Sequence, residues 1–80
     1  MFGRRGQGRG ELDCPSAVAI DTNNLVYVSE DGNHCVSVFT SEGQFVVSFG
    51  RVLNSPCGLA VDDSGVVYVC DRDNNHVVLF

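Results

Sequence analysis

The sequence has no lysine. Its five cations are all arginines, set against ten carboxylates, for a formal charge of −5 and a pI near 4.6. Domains built chiefly to neutralise phosphates have the opposite balance, with a pI above about 9. Nor is there a long apolar run: hydrophobic residues come in short stretches, far below the ~18 that a membrane-spanning helix needs. Residues 1–11 are rich in arginine and glycine without an apolar centre, so no secretory signal is read there and a reduced, cytoplasmic setting is expected. Cys14, Cys35, Cys57 and Cys70 form no C-x-x-C pair, which leaves no zinc knuckle or redox motif and makes small buried hydrophobes the expectation for all four. No stripe of 3.6-residue period runs far enough for a long helix, and 80 residues leave no room for a second core.

What is present is a repeat. Pro15-Ser-Ala-Val-Ala-Ile-Asp21 aligns with Pro56-Cys-Gly-Leu-Ala-Val-Asp62 at an offset of 41 residues, and the register holds without a gap to the end of the chain. Val26-Tyr27-Val28 falls on Val67-Tyr68-Val69, Asn33 on Asn74, Val36 on Val77 and Phe39 on Phe80. Within each unit, strands rich in Val, Phe and Tyr alternate with Gly, Asn and Asp at the reversals. In the first unit they are read over residues 17–21, 25–29, 35–40 and 44–49. Segments such as Ala17-Val18-Ala19-Ile20 and Leu25-Val26-Tyr27-Val28 are apolar on both sides. A sheet with one wet face would alternate instead, so both faces must be covered. Four-stranded antiparallel meanders of about 40 residues, repeated in tandem and apolar on both faces, are β-propeller blades. The expected layout is a connector over 1–14 carrying the tail of a preceding blade (Met1-Phe2-Gly3), a blade over 15–50, and a second over 51–80 that lacks its fourth strand.

These motifs resemble the NHL repeats, whose six-bladed propellers end many TRIM-type ubiquitin ligases and Brain tumour-like translational repressors. Gly6-Gln-Gly-Arg-Gly10-Glu-Leu12 followed by Pro15 to Asp21 is similar to the family's glycine-spaced approach and first strand. Leu25-Val-Tyr-Val-Ser29, Gly32-Asn33-His34 and Val36-Ser-Val-Phe39 resemble its second strand, turn and third strand, and Ser41-Glu-Gly43-Gln-Phe45 through Gly50 its fourth. Cys35 and His76 stand where the family often has arginine, so a cross-blade arginine contact is not carried over. The resemblance implies a non-catalytic binding module, with a zinc-binding RING and B-box upstream in a full-length ligase.

Strand parity then assigns the loops. The connectors and the turn after strand two share one end of each meander, and the turns after strands one and three share the other. Arg4, Arg5, Arg9 and Arg51 lie in connectors and Arg72 follows strand two, so every cation belongs to one end, together with Glu11, Asp13, Glu30, Asp31, Asp71 and Asp73, while Asp21, Glu42, Asp62 and Asp63 occupy the other. Arginine suits planar recognition of carboxylate or phosphate, and loops on rigid scaffolds carry binding residues. The expected binding set is these five arginines with Asn33, His34, Asn74 and Asn75. The bland alternative is exposed ion pairing with nearby carboxylates, worth roughly 0–1 kcal/mol per pair.

The net charge favours a protein partner over RNA. His34 and His76 come from different repeats with no third ligand in phase, Asp62-Asp63-Ser64-Gly65 reads as a tight turn, and Tyr27 and Tyr68 read as core or seam residues. No metal, cofactor or membrane is expected. Related propeller lyases and hydrolases hold a channel metal on their first strands, but Ala17–Ile20 and Gly58–Val61 are apolar throughout, which weighs against that enzyme reading. Two blades do not close a ring. The chain is expected to be a piece of a longer propeller, or to associate, three copies making six blades.

Overall fold

The computed structural model describes residues 4–6, 11–50 and 53–80 of the chain. Met1-Phe2-Gly3, expected as the tail of a preceding strand, lies outside them. Among the described residues nine strands are formed: β1 (Arg4–Arg5), β2 (Glu11–Leu12), β3 (Pro15–Ile20), β4 (Val26–Glu30), β5 (Cys35–Phe39), β6 (Phe45–Phe49), β7 (Pro56–Val61), β8 (Val67–Asp71) and β9 (His76–Leu79). The one helical element among the described residues is a 3-10 turn, Arg72–Asn74.

β3 to β6 form a four-stranded sheet in sequence order, and β7 to β9 a three-stranded one. Every pairing within these two sheets is antiparallel, so both are meanders, as the propeller reading requires. β1 and β2 form a separate parallel pair. The first strand of each meander begins earlier than its apolar run. A bulge between Pro15 and Ala17 keeps Pro15 opposite Glu30, and the same bulge between Pro56 and Gly58 keeps Pro56 opposite Asp71.

The two sheets stack face to face. Tyr27, Val36 and Val38 of the first join Leu53, Val67 and Val69 in one buried cluster, against which Leu25, Phe49, Leu59, Val61 and Val78 pack. Phe49 meets Phe80 edge-on, ring centroids 5.0 Å apart. The other face of β4 and β5 is covered as well: Val28, Cys35, Ser37 and Phe39 are all buried. These two strands are therefore enclosed on both sides, which is why they show no alternation. The second sheet differs. Along β8, Val67, Val69 and Asp71 are buried while Tyr68 and Cys70 are exposed, and Val77 and Leu79 of β9 stand open at 52% and 57%. No sheet lies on that side among the described residues, so the expectation of two covered faces holds for β4 and β5 and for one face of the second meander; it fails for β3 and β6, where Val18, Ile20, Val46 and Val47 stand open. The open side of the second sheet also accounts for two departures. Tyr27 is a core residue and Tyr68 is not, and of the four cysteines only Cys35 is buried.

Each meander's first hairpin is tied by one aspartate. Asp21 Oδ1 accepts the amides of Asn23 (2.8 Å) and Leu25 (3.0 Å), and its Oδ2 accepts the Tyr27 hydroxyl at 2.9 Å. Asp62 does the same with Ser64, Val66 and Tyr68, at 2.9, 3.0 and 3.0 Å. The turn needs a left-handed residue at its end, and Asn24 (φ 64) and Gly65 (φ 86) supply it. Desolvation raises the Asp21 pKa, but the bonds from Leu25, Tyr27 and Asn23 outweigh it and leave the carboxyl below its ordinary value. The Val66 amide leads the lowering at Asp62, against a smaller rise from desolvation. Desolvation and then Asp21 push the Tyr27 phenol up, and Asp62 pushes up Tyr68.

A folded-state pKa below the unfolded value means stability that is present above the ordinary aspartate pKa of ~3.9 and is lost as pH falls through the lower folded value. Urea titrations from pH 6 to pH 2 are therefore expected to show a gap in stability between wild type and the Asp21→Asn/Asp62→Asn chain that is constant down to about pH 4 and narrows below it. A gap unchanged across the range would contradict the clamp.

Candidate functional site

The connectors and the turns after the second strand meet at one end of the sheets, as parity requires, and the same bonds do it twice. The Asp31 amide donates to Cys14 O at 3.0 Å, and the Arg72 amide to Ser55 O at 3.1 Å. Beneath each turn lies a buried carboxyl at the end of the second strand. Glu30 is 0% exposed and Asp71 1%. Glu30 Oε1 accepts the Asp13 amide (3.1 Å) and the Asn33 side chain (2.7 Å). Its Oε2 accepts the Ser37 hydroxyl and, at 3.6 Å, the Cys35 thiol. Asp71 accepts the amides of Asn54 (3.1 Å) and Ser55 (2.9 Å). Asp13 and Asn54 are equivalent positions in the repeat, as are Glu30 and Asp71. A buried polar group without partners costs several kcal/mol; here the backbone of the connector satisfies the acid, and the acid fixes the connector. The Asp13 carboxyl packs closely over Gly32, where an added Cβ would displace it.

Polar contacts also join the two turns across the seam. The Ser55 hydroxyl donates to Asp31 Oδ1 at 3.2 Å, and Arg72 Nη2 donates to Ser55 Oγ at 3.3 Å. His34 Nδ1 lies 2.7 Å from Asn54 O, so this nitrogen carries the proton and donates. His34 (φ 57) and Asn75 (φ 58) hold the same left-handed position in the two repeats.

Of the predicted binding residues, Asn33, His34, Arg72 and Asn75 are thus brought to one end. Asn33 is half-buried and committed to Glu30 and Gly6 O. His34, Arg72 and Asn75 are exposed. Arg72, Asn75 and His76 line a shallow pocket of ≈ 310 Å³ with Asp71, Val77, Cys57 and Cys70. Arg4 and Arg5 are described in backbone only, in β1, paired with Glu11 and Leu12; Asn74 is likewise placed only as part of the 3-10 turn. Arg9 and Arg51 lie outside the described residues. Among the described residues, no cluster of three or more His, Cys, Asp or Glu side chains is placed to hold a metal ion. Strand parity puts Glu30 and Asp71 among the acids of this end, and the structure buries both. The signal that distinguishes them is their shared register directly after Val-Tyr-Val-Ser and Val-Tyr-Val-Cys.

Comparison with known proteins agrees with this architecture. The NHL repeat profile matches residues 12–39 and 53–80. The chain is 44% identical over 66 residues to the RING finger protein nhl-1 of Caenorhabditis elegans, covering 75% of this chain and 7% of that protein. It is 36% identical over 50 residues to the Protein brain tumor of Drosophila melanogaster (62% and 5%). Over 47 residues it is 35% identical to the human Tripartite motif-containing protein 2 (59% and 6%). The chain thus spans less than a tenth of the length of these curated relatives.

Asp71→Ala leaves two connector amides without their acceptor, at about 1–3 kcal/mol each. Chemical denaturation should show a loss of roughly 2–5 kcal/mol, against less than about 0.5 kcal/mol for the exposed Asp63→Ala.

Proposed function

The chain belongs to the NHL repeat family, and on that footing we propose that it is a non-catalytic binding module, a propeller segment whose connector end meets a protein partner. NHL membership supports a binding or scaffold role in general terms. The observation that carries the finer reading is the exposed guanidinium of Arg72 at the mouth of a pocket, on a turn held by the buried Asp71 and by Ser55. A fixed guanidinium with spare donors suits an acidic side chain or a chain terminus. Arg4, Arg5, Arg9 and Arg51 add charge of the same sign in the connectors. The overall charge of −5 disfavours a nucleic acid, which makes RNA the second choice. In a longer protein with a RING finger, as the name of one relative prints, this segment would select the substrate of a ubiquitin ligase, and the setting proposed for it is the cytoplasm.

Selection of binders from a displayed random-peptide library and from a random single-stranded RNA pool separates the two ligands. The expected result is acidic peptides whose binding weakens about tenfold or more with Arg72→Glu and is unmoved by Glu42→Lys at the opposite end. RNA binders with a steep loss of affinity on adding salt would replace this reading with the other.

Self-association follows from the same repeat. Within the chain, Leu59 and Val61 pack against the cluster that holds Tyr27, Val36 and Val38. Their repeat equivalents are exposed: Val18 and Ile20 on one side, Tyr68, Val77 and Leu79 on the other. A second copy set head to tail would repeat the internal contact, and three copies would give six blades. Sedimentation equilibrium should give a mass that rises with concentration above 8.6 kDa and stays at that value for Leu79→Asp. A wild-type chain that remains a monomer at about 100 μM, a concentration that would populate even a micromolar contact, removes this part.

A further inference from the structure

We propose that Cys57 and Cys70 are a dithiol modification site that closes to a disulfide by exchange with a small-molecule disulfide. The internal repeat supplies the geometry. The equivalent residues of the first sheet are Ser16 and Ser29, whose hydroxyl oxygens lie 2.8 Å apart. They meet because the bulge between Pro15 and Ala17 turns Ser16 to the same side as Ser29, which is paired with Ala17. Side chains in hydrogen-bond contact at Oγ have Cβ atoms near the ~3.5–4.5 Å that a disulfide spans.

The second sheet repeats the bulge and the register with cysteine in place of serine. The bulge recurs between Pro56 and Gly58, and Gly58 pairs with Cys70. Cys57 Sγ lies 3.7 Å from Cys70 O, matching the 3.3 Å from Ser16 Oγ to Ser29 O. Cys70 Sγ lies 3.4 Å from where a Cβ on Gly58 would stand, so the sulfur packs beside the neighbour of Cys57. Both thiols are exposed, and both line the pocket of ≈ 310 Å³ that also holds Arg72 and His76. In the first sheet the Ser16 hydroxyl also donates across the seam to Pro56 O at 2.7 Å. The cysteine pair thus stands at the matching position of the open face, where reagents reach it.

The chemistry balances without a metal or a further cofactor. One cysteine thiolate attacks a sulfur of the small disulfide, forming a mixed disulfide and expelling one thiolate, which takes up a proton. The second cysteine thiolate then attacks the protein-bound sulfur, forming the Cys57–Cys70 bond and expelling the other small thiol. Two protein thiols are oxidised, and one small disulfide is reduced to two thiols.

The test is incubation of the full chain with oxidised glutathione, followed by thiol counting, intact mass and peptide mapping. The expected result is loss of two of the four thiols, a mass lower by two hydrogens, and a peptide joining residues 57 and 70, all reversed by dithiothreitol. Cys57→Ser and Cys70→Ser should each trap a single glutathione adduct on the remaining partner. The double substitution recreates the pair that the first sheet already accommodates, so loss of folding would not mask the outcome. Leu79→Asp, which leaves the face open whatever the state of association, should form the same Cys57–Cys70 disulfide. Separate glutathione adducts on both cysteines, or a linkage of either one to Cys14, would overturn the proposal.

Discussion

Each meander depends on a carboxyl group that it buries. Glu30 and Asp71 sit at the ends of the strands that carry the sheet-to-sheet core, and each takes its hydrogen bonds from the amides of the connector that leads into its own sheet. Each of those bonds helps to satisfy a carboxyl in the interior, where an unpaired polar group costs a large share of a small domain's stability, and Glu30 draws further bonds from Asn33, Ser37 and Cys35. Without the acids the connectors would have to find their bonds in water, and the turns after the second strands would lose their floor. The apolar seam can then form at a fixed register: Leu53 reaches the cluster of Tyr27, Val36 and Val38 because its connector is held two residues further on.

The two ends of the sheets are built on different principles. At one, Asp21 and Asp62 close tight hairpins by local bonds, which any isolated hairpin of this sequence could make. At the other, the bonds span long stretches of chain and cross between sheets, as between His34 and Asn54 or Ser55 and Asp31. The second end is therefore the one whose shape depends on stacking, and a face fixed by stacking presents its exposed groups in a constant arrangement. Recognition surfaces gain affinity from such preorganisation.

Much of this was legible in the chain. The offset of 41 residues, the continuous apolar runs and the Asp/Asn/Gly reversals gave the strands, their antiparallel order and the propeller class, and the NHL profile agrees. Parity placed the connectors and the turns after strand two at one end, where Asp31 and Cys14, and Arg72 and Ser55, are found bonded. The buried acids were not read, because a charged residue beside Gly, Asn and Asp in a turn has the composition of a solvated loop. The cysteines were misjudged for the same kind of reason. Cysteine is usually buried, but in an array of repeats the terminal unit keeps one face without a neighbour.

The sequence by itself determined period, strand type and turn chemistry, since each of these rests on contacts between residues close together in the chain. It also determined that the two units are copies, and hence that whatever one does locally the other repeats. Tertiary structure alone decided which carboxyls are interior, which serines meet across a bulge, which cysteines are exposed, and which of two equivalent tyrosines is wet. Those outcomes follow from what lies against a residue in space, and identical local sequences have different neighbours at the middle and at the edge of a stack.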